Sequence, residues 1–289
     1  MLKKLLKYDM RAVSKLFWIG AAISPIAAIL GALLMRFFIA SMENDSGNGF
    51  LFFVSLFAFI ASVVSILALV LSYIFTVVLV FVRFYRHFFT DEGYLTFTLP
   101  VKRSTLFFSK TLSATIFLTA HFVVIFLSFL LFALLVPPAQ EGGFFINPVF
   151  FTEIGGLFSL LWESVGAWLI LYLLEALLAL FLYVLFSILL VQFCITFGAI
   201  LVKRAKIVIS LLLYYGITSV LSSIGQFAFI FVGAFLSESM SILMLDRGEN
   251  TVFAAYAFLF LALIAAIATV AATLYALTQY LIDRKLNLA

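Results

Sequence analysis

The chain has 289 residues, 66% of them hydrophobic and only 10% charged, and its mean hydropathy is +1.29. Soluble domains carry about 25% charged residues, so 13 acids and 17 bases cannot cover a water-soluble globule, and 37 phenylalanines would be left facing water. These numbers exclude a soluble enzyme, a nucleic-acid-binding domain and a disordered chain. The net charge of +4 is accordingly a membrane signal rather than a nucleic-acid signal. A lone cysteine, Cys194, excludes an intramolecular disulfide and any CxxC motif.

A hydrocarbon core of about 30 Å takes about 20 apolar helical residues. Windows of that length or more, free of charge except for Glu175, begin at Leu16, Phe50, Thr111, Ser164, Ile207 and Asn250. They are continuous rather than alternating, so they predict helices and not barrel strands. The expected fold is an all-α integral membrane protein, one transmembrane domain over 1–289, with spans at 16–39, 50–82, 104–136, 164–202, 207–236 and 251–282. The longest windows need tilts, breaks or projections beyond the bilayer. Gly166, Gly216, Gly225 and Gly233 mark the expected breaks.

Ahead of the first span, Lys3, Lys7, Arg11 and Lys15 fall at i, i+4 spacing beside an apolar row of Leu2, Leu6, Met10 and Phe17. This pattern predicts an amphipathic elbow helix over 2–15 on an anionic leaflet; a plain basic anchor is the competing reading. The apolar run that follows is too long for a signal-peptide h-region and reads as an uncleaved span.

Between spans two and three lies RFYRHFFTDEGYLTFTLPVKRSTLFFSK, residues 83–110. Thr90 can cap a helix beginning at Asp91, whose acids suit the positive helix end. Pro100 disfavours helix at Leu99, and Ser104 can cap the third span. The expected element is a short amphipathic helix within 84–99, open to a partner, with an ordinary surface loop as the alternative. Between spans three and four, 137–163 holds Pro137-Pro138, two Gly pairs and six large aromatics. Such a segment predicts one or two interfacial or re-entrant helices.

Six spans put both termini on one side. Fifteen of the 17 lysines and arginines fall on that side, leaving Arg36 and Arg247 on the other. The positive-inside rule makes that side cytoplasmic.

Chemistry is sparse. No glycine precedes a lysine, so there is no Walker A loop, and there is no HExxH or G-x-S-x-G motif. The intramembrane ionisable residues are Glu175 and His121. His121, about 16 Å up the third span from Lys110 by helical rise, reads as a neutral structural histidine bonded to a neighbouring helix. Arg36 and Glu175 both fall in the outer half of the bilayer or at its boundary. Two readings stand for them: a buried pair closing the outer end of a pathway, or separate snorkelling to the headgroups.

The segment 84–114, FYRHFFTDEGYLTFTLPVKRSTLFFSKTLSA, resembles the loop between spans two and three of ABC-2-type ABC transporter permeases of Gram-positive bacteria. The resemblance implies that Asp91, Glu92, Gly93, Tyr94, Leu95 and Thr96 form a coupling helix that docks on an ATPase subunit. It implies two permease copies, here a homodimer, with two ABC ATPase subunits that hold ATP and Mg; this chain itself needs no cofactor. It places the protein in a bacterial cell membrane and favours amphipathic or hydrophobic peptides as cargo, since small Phe-rich permeases of this kind resemble phenol-soluble-modulin and antimicrobial-peptide exporters. One departure is that the large outer segment lies between spans three and four rather than between five and six. A membrane accessory protein or intramembrane enzyme without transport activity is the alternative from another class.

Overall fold

The computed structural model describes residues 2–43, 49–98, 100–136, 147–202, 205–247 and 249–284, without the side chains at 43, 91, 94, 95, 148, 228, 229 and 231–247. Eight helices occur among them, and no strand. They are α1 (Leu2–Glu43), α2 (Gly49–Phe89), α3 (Asp91–Phe97), α4 (Arg103–Leu135), α5 (Pro148–Val165), α6 (Trp168–Leu201), α7 (Lys206–Arg247) and α8 (Glu249–Arg284). Six of these, all but α3 and α5, are long and apolar enough to cross a membrane. By length and composition this is a multi-pass membrane protein. Helices are the economical solution there, because a helix satisfies its backbone groups internally where no water can. At 41 residues, α2 is about 60 Å long, roughly twice the hydrocarbon thickness, so its ends reach beyond the apolar layer.

Several boundaries differ from expectation, each for a local reason. Residues 2–15 are helical, but they run without interruption into the first span as one 42-residue helix. Neither Gly nor Pro occurs before Gly20 to break it, and the buried side chains of Val13 and Phe17 continue the packed face across the expected junction. Residues 84–89, assigned from the sequence to the loop helix, instead complete α2, which lets Phe84 and Phe88 bury. Of the expected glycine breaks only Gly166 is one, with φ +61°, a left-handed geometry that suits a residue without Cβ. Gly216, Gly225 and Gly233 lie inside an unbroken α7. In water an interior glycine costs about 1 kcal/mol, but where water is absent the helix-making hydrogen bonds have no competitor. The interfacial segment contains one helix, α5, opened by Asn147, whose side-chain oxygen accepts from the Val149 N–H at 3.0 Å. Residues 137–146 lie outside the described residues. Finally, α7 extends to Arg247, eleven residues past the expected end, through a stretch free of Gly and Pro.

The chain forms two compact units. One comprises residues 3–82 and 112–161. In it α1 presents small residues, Ala27, Ala28 and Ala32, all buried, and Ala27 and Ala28 pack with Leu69 and Phe132. Close approach by small residues is how helices associate where lipid is as apolar as the side chains. A Cβ on Gly31 would come within 2.8 Å of the Ser65 Cβ and 3.3 Å of Phe132. Gly31→Val is therefore expected to lower the melting temperature of the purified protein by several degrees, an overpacking cost of about 1–3 kcal/mol. Gly216→Ala, where nothing lies within 4 Å, should leave it unchanged, and equal melting of the two variants would refute the close approach.

The other unit comprises residues 1–2, 83–111 and 162–289. Here α6 packs on both α8 and α7. Gly198 lies against Ser210, where a Cβ would meet the Ser210 Cα at 3.0 Å. The first turns of α4 are also tied to α8. Phe107 tilts against Tyr275 with ring centroids 5.0 Å apart. Arg103 donates through Nη1 to the carbonyls of Ile282 at 3.1 Å and Asp283 at 3.2 Å, an arginine at a helix C-terminus where carbonyls lack helical partners.

Candidate functional site

Two places in the second unit carry the residues that the sequence singles out. The first is α3. It begins at Asp91 as expected, but Thr90 does not cap it. The Thr90 hydroxyl donates back to the Arg86 carbonyl at 2.6 Å, and the turn is closed by the Gly93 N–H on the Thr90 carbonyl at 2.7 Å. Nor is Ser104 the cap of α4, because the Lys102 carbonyl already accepts from Thr105 and Leu106 and Ser104 falls inside the first turn.

Four features hold α3 in place. Arg86 and Glu92 form an exposed ion pair at 2.5 Å; such pairs contribute at most about 1 kcal/mol. Gly93 is buried against α2, and a Cβ there would come within 3.0 Å of both the carbonyl carbon and oxygen of Phe88. Phe97 sets its edge against Phe88 at 5.7 Å. The Arg103 guanidinium lies 5.0 Å from the Phe97 ring centroid, a cation–π contact. The Gly93 contact is with backbone, which cannot rotate away, so it is the strictest of the four. Thr96 spends its hydroxyl on the Glu92 carbonyl at 2.8 Å. Asp91, Tyr94 and Leu95 belong to α3 by backbone, and their side chains lie outside the described residues.

The second place is a cavity of about 830 Å³ between α6 and α8. Tyr172, Glu175 and Tyr183 line it from α6, and Phe253, Tyr256 and Phe260 from α8. Glu175 is only 5% exposed, so it does not snorkel. Both its carboxylate oxygens are buried and accept no hydrogen bond among the described residues. Arg36 and Glu175 belong to different units. The nearest hydroxyl along the helix, that of Tyr172, donates to the Phe253 carbonyl at 2.8 Å and not to the carboxylate. An isolated buried carboxylate costs several kcal/mol, which sets Glu175 apart from an ordinary lining residue. The stripe Tyr172, Glu175, Ala179, Tyr183 was visible in the sequence at helical spacing. Its aromatic complement on α8 was not, because nothing local says that α8 faces α6.

In the first unit His121 is fully buried and joins three helices. The Thr76 Oγ1 lies 2.5 Å from Nδ1, and Nε2 lies 3.3 Å from the Ser72 Oγ and 3.4 Å from the Ser24 Oγ. Ser24 and Ser72 are 2.7 Å apart, and Ser72 donates to the Leu69 carbonyl. With Ser72 donating to the Leu69 carbonyl and Ser24 to Ser72, Nε2 is left to donate to these hydroxyls, while the Thr76 hydroxyl at Nδ1 also lies 3.4 Å from the Ser72 carbonyl. Phe17 and Tyr73 stand edge-on to it at 5.8 Å. The expected structural histidine is what the geometry contains. Sequence reading missed Gln192 of α6, in the other unit and also fully buried, whose Oε1 accepts from Thr111 at 2.9 Å; an amide in a mostly apolar helix was its only signal.

No family model matches this chain, and neither a curated protein nor a solved structure does.

Proposed function

We propose that this chain is the permease subunit of an ATP-driven ABC exporter, seated in a bacterial cell membrane with both termini cytoplasmic. In this reading α3 is the coupling helix, two identical permeases associate with two ATPase subunits, and ATP and Mg are held by those partners. The cargo is an amphipathic or hydrophobic peptide. The observation that carries the reading is the segment 84–114. It has the sequence character of an ABC-2 coupling loop, and its central residues form a separate seven-residue helix pinned between two long apolar helices in a chain without a nucleotide-binding loop. A merely connecting loop has no need for a buried glycine, an ion pair and a cation–π contact to fix its pose.

Affinity purification of the tagged chain from its native membranes tests this. An ABC-type ATPase is expected to co-purify at one copy per permease. Asp91→Lys combined with Glu92→Lys should abolish that recovery or uncouple ATP hydrolysis from export, by reversing two charges on α3. Normal recovery and coupling in the double variant would remove α3 from this role.

A further inference from the structure

We infer that the α6–α8 cavity is a binding site for an organic cation carried on an apolar body, with Glu175 as its counter-ion and the surrounding aromatic rings as its cage. The inference rests on the exporter reading only for its consequence, which is that the transported amphiphile is cationic; the binding site itself is a property of this chain alone.

Three observations converge. Glu175 is buried yet without a hydrogen-bond partner among the described residues, and the Tyr172 hydroxyl one turn away donates elsewhere. A charge left so inside a membrane helix is costly and marks a functional position by default. The walls are Tyr172, Tyr183, Phe253, Tyr256 and Phe260, whose ring faces carry partial negative charge and attract ammonium and guanidinium groups. The volume, about 830 Å³, is in the range of pockets that enclose a drug-sized ligand. An anion would meet the carboxylate and the ring faces, both repulsive. A neutral ligand would leave the carboxylate uncompensated. A cation with an apolar body satisfies the carboxylate, the rings and the apolar remainder of the walls together.

The test uses the purified full-length chain in neutral maltoside detergent, with no ATPase and no ATP. Ethidium, a fluorescent monocation, is titrated and its polarisation followed. Wild-type protein should bind it saturably, and tetraphenylphosphonium should displace it while triphenylphosphine oxide, a neutral molecule with a similar body, should not. Glu175→Gln should weaken binding by about tenfold or more with a melting temperature no lower than that of wild type, and Glu175→Asp should keep most of it. Tyr256→Leu, on the opposite wall, should weaken it severalfold and serves as the second variant if Glu175→Gln loses its fold. A lysine-bearing amphipathic peptide and its glutamine counterpart distinguish the sources. Displacement by the lysine form alone assigns the site to peptides, and displacement by tetraphenylphosphonium without either peptide assigns it to small lipophilic cations. Equal binding by wild type and Glu175→Gln, equal displacement by the neutral phosphine oxide, or no saturable binding at all would overturn the inference. None of these results bears on ATPase recovery, so the site and the exporter reading fail separately.

Discussion

Gly93→Val is expected to reduce ATP-driven export to background while leaving the protein folded in the membrane. The reason is that Gly93 touches the backbone of α2 and not a side chain: a Cβ would stand 3.0 Å from the Phe88 carbonyl carbon and oxygen. Valine adds two further methyl groups, so α3 must lift from the end of α2. Overpacking of this kind costs about 1–3 kcal/mol, enough to depopulate the seated pose of α3 about tenfold. The Arg86–Glu92 pair is too exposed to compensate. Export in inverted vesicles, read beside ATPase co-purification and the melting temperature, checks this. Unchanged export in Gly93→Val would show that the pose of α3 is irrelevant to coupling. The charge reversal at Asp91 and Glu92 changes the charge of α3 and removes the exposed Arg86 pair, whereas this substitution acts on its backbone contact.

His121→Ala should destabilise the first unit more than any other single truncation. It removes a fully buried ring that touches Phe17 and Tyr73, and it leaves the Thr76 hydroxyl without its ring partner. A cavity of that size costs roughly 3 kcal/mol, and interhelical hydrogen bonds within membranes contribute about 0.6 kcal/mol each. The melting temperature should fall by roughly 10 °C. His121→Gln, which can still accept from Thr76 and donate toward Ser72 and Ser24, should recover a large part of the loss. Because both ring nitrogens are engaged by buried hydroxyls, the transport rate of His121→Gln should show the same dependence on pH as wild type. A pH profile that changes shape, or transport abolished in a stably folded His121→Gln, would make this histidine a proton-handling residue rather than a clamp.

Much of this architecture could be read without coordinates, and the reason is physical. Whether a segment can remain in hydrocarbon depends on its own side chains, so six runs of 20 or more apolar residues became six long helices. The same locality explains α3: acids after Thr90 and a proline at position 100 confine a helix to the few residues between them. Local signals failed where the solvent changes their meaning. Gly216 and Gly225 read as breaks in water, yet lie within an unbroken α7, since a backbone without water retains its own hydrogen bonds.

Pairing between distant residues followed other rules. Arg36 and Glu175 were matched by charge and by depth along their helices, but charge and depth do not say which helices are neighbours. That depends on which small residues let two backbones approach, as at Gly31 with Ser65 and Gly198 with Ser210. Packing of α6 on α8 gave Glu175 a wall of aromatic rings. Packing of α1, α2 and α4 gave His121 three hydroxyls, from residues 45, 49 and 97 positions away. Hydropathy is a sum over one segment and can be taken from the sequence; the partner of a buried polar group is a property of two or three segments at once, and exists only after they have packed.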